Sequence, residues 1–217
     1  MLTCSLPKSY HYTMNPQYQQ ATDFLSRLDA DWAWLIATVG ACTFDAEAEP
    51  DLNPYEALVQ AVAYQQLNGK AGDAIFAKFK RYFDGFPQPE QLITTPFDDL
   101  RACGFSGRKI ETLKGIAEGT VSGLVPTRQA AESMSDAELI ECLVTLKGIG
   151  RWTVEMMLMF TLKRMDILPA DDFGVVEGYK RLKKLEIAPK RKEIAEIGKA
   201  WSPYRTIASW YLWRVPK

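Results

Sequence analysis

Apolar residues recur at three- and four-residue intervals along most of this chain, the spacing of helices that bury one face. Between Asn15 and Leu28 the stripe is Tyr18, Ala21, Phe24, Leu25 and Leu28. Asn53-Pro54 supplies a capping side chain and then proline at the first helical position, and the helix it opens carries Leu58, Val59, Val62 and Ala63. Ile75, Phe76 and Phe79 mark a helix from about Ala71 to Tyr82, ended by Asp84-Gly85-Phe86-Pro87. Pro96-Phe97 opens a short helix to Ala102, and Ile110, Leu113 and Ile116 define another from Ser106 to Glu118. Ser135-Asp136-Ala137-Glu138 has the form of a capping box for a helix to about Leu146. Arg151 to Lys163 is strongly apolar and predicts a central helix; Asp172–Leu182, Pro189–Trp201 and Pro203–Trp213 complete the series. Thr38–Phe44 is the one stretch that suggests a strand.

This pattern predicts an all-α protein of two helical subdomains flanking a cleft. One comprises about residues 1–54 with 165–217, the other about residues 55–164. The chain has 217 residues, enough to bury a core, and a net charge of −1, which excludes a global basic field. A local basic face stays open, because phosphate contacts need few donors. Cys4, Cys42, Cys103 and Cys142 lie far apart and His11 is the sole histidine. That spacing argues against zinc and iron–sulfur sites and for reduced thiols. No apolar run reaches membrane-spanning length and the N-terminus has no secretory pattern, so the expectation is a soluble intracellular protein.

The chemistry-bearing segments are short. Leu146-Lys147-Gly148-Ile149-Gly150-Arg151-Trp152-Thr153 joins two predicted helices. The amides of Gly148 and Gly150 stand ahead of the second helix, at its positive end, where phosphate binds. Arg151 adds charge and Thr153 a hydroxyl, although glycines also serve ordinary helix–helix turns. Gly104-Phe105-Ser106-Gly107-Arg108-Lys109 offers a second phosphate candidate in Ser106, Arg108 and Lys109, or simply a solvated helix start. Lys180-Arg181-Leu182-Lys183-Lys184 reads as a solvated face. In Leu168-Pro169-Ala170-Asp171-Asp172-Phe173-Gly174, Asp171 is placed as a helix cap and Asp172 in the first turn; capping alone would account for the pair. Tyr64-Gln65-Gln66-Leu67-Asn68-Gly69-Lys70 links two helices, and by itself is a polar loop with one leucine.

Taken together and in their order along the chain, Tyr64–Lys70, Gly104–Lys109, Leu146–Thr153 and Leu168–Gly174 resemble the 3-methyladenine DNA glycosylase II family of helix-hairpin-helix base-excision DNA glycosylases, over about residues 50–215. The resemblance implies hydrolysis of the N-glycosidic bond of alkylated purines in damaged double-stranded DNA. 3-Methyladenine and 7-methylguanine lead, with ethenoadenine and hypoxanthine as further candidates. Asp172 is then the catalytic carboxylate, stabilising positive charge at C1′ and orienting or deprotonating water. Trp152 stands where bifunctional relatives carry a nucleophilic lysine, which implies no lyase activity. Leu67 becomes the wedge that fills the gap left by the extruded base and Gln66 the plug toward its partner. Tyr64, Trp152, Phe173 and Trp213 become the rings on which a cationic purine stacks, and Met156 falls where some relatives carry a tyrosine. The family also implies a structural sodium or potassium ion held by the carbonyls of Val144, Leu146 and Ile149, with no cofactor for catalysis. The expected protein is a monomer without membrane partners, in the cytoplasm or nucleoid of a bacterium or the nucleus of a eukaryote. The competing expectation is a non-catalytic helix-hairpin-helix module that only clamps phosphate, which would need neither Asp172 nor the rings.

Overall fold

The computed structural model describes residues 15–48, 52–67 and 69–217; Cys4, His11 and Asn68 lie outside them. The described residues contain helices and no strand. The first helices are α1 (Pro16–Ser26), α2 (Ala30–Val39) and α3 (Phe44–Glu47). Then come α4 (Pro54–Tyr64), α5 (Gly69–Tyr82), α6 (Pro89–Thr94), α7 (Phe97–Cys103) and α8 (Gly107–Val121). The series continues with α9 (Arg128–Ser133), α10 (Asp136–Leu143), α11 (Arg151–Phe160) and α12 (Phe173–Leu182). It ends with α13 (Arg191–Ile197), a 3₁₀ turn at Gly198–Trp201 and α14 (Arg205–Leu212).

The boundaries follow local chemistry. Asn53 and Ser135 each complete a capping box, with Glu56 and Glu138 respectively. Gly104, left-handed at φ 112°, closes α7. The expected strand at Thr38–Phe44 is corrected: Thr38 and Val39 finish α2, and Phe44 begins α3. Asp29 starts α2 by accepting from the amides of Asp31 and Trp32. Burial of Trp32 and Leu35 then outweighs the weak helix preference of the closing Ile-Ala-Thr-Val run.

The helices pack in two groups. α2 and α14 contact each other and both α1 and α12, and α14 also meets the 3₁₀ turn, while α4 to α8 form the second group, joined through α4 to α11. Aromatic contacts tie the groups along one seam: Phe44 stacks on Phe160 with centroids 5.1 Å apart, and Phe160 on Trp213 at 6.0 Å. α12 and α14 approach closely because two residues one turn apart on α12 have no side chain. A Cβ on Gly178 would overlap the Leu212 carbonyl, and one on Gly174 would press on the Trp213 indole. Gly178 therefore sets the helix separation, and Gly174 lets Trp213 reach the start of α12.

Candidate active site

Asp172 caps α12. Its Oδ1 accepts from the Val175 amide at 2.8 Å and the Trp213 indole N–H at 2.7 Å, and its Oδ2 accepts from the Trp152 indole N–H at 2.8 Å. The cap was expected one residue earlier. The Asp172 amide donates to the Pro169 carbonyl at 2.9 Å, so the Leu168–Asp171 turn runs one position further. Asp171 faces outward and pairs with Arg191 at 3.2 Å. The Asp172 carboxylate is half-buried and fixed by three N–H donors, from α11, α12 and the residue that caps α14. With a single donor on Oδ2, that oxygen keeps a lone pair for a further partner.

A pocket of about 210 Å³ is linked to this carboxylate at one remove: its Phe160 wall stacks on Trp213, whose indole holds Asp172. α4 contributes Ala57, Gln60, Ala61 and Tyr64, one stripe at helical spacing. α11 contributes Met156, Met157, Phe160 and Thr161, and Glu47 at the end of α3 closes one side. Trp152, Met156 and Phe160 stand one turn apart on α11, so one helix face carries both an Asp172 donor and the pocket wall. Tyr64 is held by its hydroxyl, which donates to Asp73 at 2.8 Å, and its ring sits where a side chain on Gly72 would be.

The four expected rings part company here. Tyr64 lines the pocket. Trp213 backs it by stacking on Phe160 while holding Asp172, and Trp152, 45% exposed, stands at the carboxylate outside the lining. Phe173 is corrected: it is 80% exposed, because the first position of α12 points away from the side the capping carboxylate faces. Phe160, Gln60 and Glu47 went unnoticed in the sequence. Phe160 was available as the second step of the Trp152–Met156 spacing and Gln60 as the polar break in the α4 stripe, whereas Glu47 carries no local signal.

At the hairpin, Gly148 is left-handed at φ 86°, and a Cβ there would strike the Thr112 hydroxyl of α8. Gly148 and Gly150 are exposed, and Gly150 opens α11 without a capping side chain. Arg151 is half-exposed; its Nε donates to Glu155 at 2.8 Å, leaving the outer guanidinium nitrogens facing solvent. Burial pushes the Glu155 carboxyl up in spite of Arg151. Thr153 is corrected as a phosphate donor: at 4% exposure it lies on the core side of α11, two residues beyond Arg151. Val144, Leu146 and Ile149 surround the turn, and the Leu146 carbonyl already accepts from Ile149 at 3.1 Å. Three neutral hard oxygens on one turn suit an alkali cation.

In the second phosphate candidate, Arg108 is exposed. Ser106 spends its oxygen capping α8, accepting from the Lys109 amide at 3.3 Å. Lys109 is corrected: it is half-buried, its Nζ donates to the Ala63 carbonyl at 2.8 Å, and burial lowers its pKa. It ties down the C-terminal end of α4, from which the segment carrying Gln66 and Leu67 departs. There Gln66 is exposed and left-handed at φ 57°, and Leu67 is half-buried.

Residues 59–203 match the HhH-GPD superfamily of base excision DNA repair proteins. The chain is 47% identical over 195 residues to the DNA-3-methyladenine glycosylase 1 of Schizosaccharomyces pombe, covering 89% of this chain and 85% of that protein. It is 38% identical to the alkylbase DNA glycosidase-like protein mag2 of the same yeast, covering 92% and 94%. Among solved structures, it resembles the S. pombe 3-methyladenine DNA glycosylase in complex with abasic DNA, with a TM-score of 0.81 and 46% identity over 90% of this chain and 95% of that one. It also resembles the DNA-3-methyladenine glycosidase of Bacillus halodurans, with a TM-score of 0.79 and 33% identity over 89% and 88%.

Proposed function

This chain belongs to the HhH-GPD superfamily of base excision DNA repair proteins, and on that footing we propose that it hydrolyses the N-glycosidic bond of alkylated purines, 3-methyladenine first, in damaged duplex DNA. The observation that carries this reading is the Asp172 carboxylate, aimed by Trp152, Trp213 and the Val175 amide and tied through Trp213 and Phe160 to a pocket of purine scale. As the C1′–N bond breaks, its electron pair goes to the base, and an N-alkylated purine that entered as a cation leaves neutral. Positive charge gathers on the sugar, where a carboxylate held in place stabilises it without reorganising. Water then adds its oxygen to C1′ and gives up a proton toward the open side of Oδ2.

Trp152 cannot form a Schiff base with C1′, so the enzyme acts as a monofunctional hydrolase. Gly148, Gly150 and Arg151 would hold a DNA phosphate, and the Val144, Leu146 and Ile149 carbonyls an alkali cation that bridges to it. No helix among the described residues is long and apolar enough to cross a membrane. The protein would meet DNA as a monomer. Methylated duplex DNA incubated with the protein should yield free 3-methyladenine on chromatography, with no borohydride-trapped protein–DNA adduct. Tight binding to an abasic-site duplex with no base released would leave only a phosphate clamp.

Leu67→Ala should lower release from duplex by roughly tenfold, because the void left by the extruded base is no longer filled. Release from single-stranded DNA should be nearly unchanged. Equal losses on both substrates would remove the wedge assignment.

A further inference from the structure

We propose that Glu47 reads the extruded base, its carboxylate accepting hydrogen bonds from the N–H groups of a cationic purine; this rests on the alkylpurine reading above. The pocket walls are aromatic, thioether or small, with polar groups at Glu47, Gln60 and Thr161, and Glu47 is the one acid among the described residues that line it. Its side chain is anchored. Oε1 accepts from the Trp210 indole N–H at 3.0 Å and from Arg214 at 2.6 Å. Trp210 is buried, and Arg214 lies flat on its ring, 3.8 Å from the centroid, donating also to the Trp210 carbonyl at 2.9 Å. Both donors to Glu47 converge on the same oxygen, so Oε2 keeps its acceptor capacity.

Trp210 and Arg214 thus fix one oxygen of a carboxylate that stands at the edge of a largely apolar cavity. A ligand in the pocket supplies donors for Oε2, the oxygen that Trp210 and Arg214 leave open. Alkylation at N3 or N7 makes a purine cationic and leaves it N–H donors: the exocyclic amino group of 3-methyladenine, and the amino and N1 groups of 7-methylguanine. A carboxylate receives such donors as charge-assisted bonds, stronger than neutral ones. 1,N6-Ethenoadenine has its amino nitrogen closed into a ring and presents no donor. The π faces of Phe160 and Tyr64 bind any purine; Glu47 selects those with an N–H edge.

The test is single-turnover release of 3-methyladenine and 7-methylguanine from methylated duplex by Glu47→Gln and Glu47→Ala, alongside their affinity for a duplex bearing an abasic-site analogue. The analogue has no base to meet Glu47, so its affinity reports folding and backbone binding alone. Both variants should release both bases roughly tenfold more slowly, the effect of one charge-assisted hydrogen bond, with unchanged analogue affinity. Wild-type release by Glu47→Gln overturns the proposal, and so does a loss of analogue affinity that parallels the loss of release. If the wild-type protein releases neither base, the alkylpurine reading itself fails, a result distinct from either.

Discussion

Asp172→Asn should lower release of 3-methyladenine from methylated duplex by roughly 10²–10³-fold, the effect of removing one preorganised group from a transition state. The substitution isolates charge from shape. Asparagine is as good a helix cap as aspartate, so its carbonyl can keep the Val175 amide and the Trp213 indole. Its amide nitrogen then faces the Trp152 N–H, donor against donor. Trp152 is near the surface and can swing out, so the global stability should change by less than about 1 kcal/mol, within the range of exposed hydrogen bonds. Thermal unfolding and abasic-duplex affinity should therefore match wild type, while tryptophan emission shifts. Asp172→Ala should show a similar kinetic loss and, in addition, about 1 kcal/mol of lost cap. An asparagine variant with full release would reduce Asp172 to a cap and leave the catalytic group elsewhere.

How much of this site was legible in the sequence depends on whether the controlling physics is local. Caps, turn glycines and apolar spacing act within one helix turn, so the hairpin and most helix starts could be placed from residue types alone, and the Asp171-Asp172 corner to within one residue. α2 and α3 escaped because their stability is tertiary. Trp32 packs edge-on against Trp201 at 5.4 Å and Phe44 stacks on Phe160, contacts more than a hundred residues away in the chain. The same distinction sorts the site residues. Phe173 looked like a pocket ring because it adjoins Asp172 in sequence, but adjacent residues on a helix point about a quarter-turn apart. Phe160, eight residues from Trp152, shares its face. Lys109 and Thr153 looked available to phosphate because their side chains are polar; only the packing reveals that one holds the Ala63 carbonyl and the other faces the core. Glu47 is invisible for the same reason, since its role is set by α14 and the residues just after it, over 160 residues later.

The helix crossing that aims Asp172 supplies the second large effect. Gly178→Val should destabilise the protein by about 3 kcal/mol, the upper end of overpacking costs, because the new Cβ overlaps main chain and no rotamer change relieves it. α12 and α14 must separate. At this chain length that corresponds to a fall of roughly 6–12 °C in Tm. The kinetic consequence is specific. Leu212, the residue struck, immediately precedes Trp213, whose indole holds Asp172 Oδ1 at 2.7 Å. A displacement of about 1 Å at Trp213 uncouples the carboxylate from the Phe160 wall, and misplacement of that size can cost about 10²-fold in rate. Gly115 on α8 is the control: nothing lies within 4 Å of a Cβ there, so Gly115→Ala should raise stability, by up to about 1 kcal/mol from helix propensity, with release unchanged. Measured below its lowered Tm, where the Gly178→Val variant is still folded, slow release with intact abasic-duplex binding would show that the crossing sets the carboxylate. Wild-type release under those conditions would mean that Trp213 does not aim Asp172, and that the Val175 amide and Trp152 suffice.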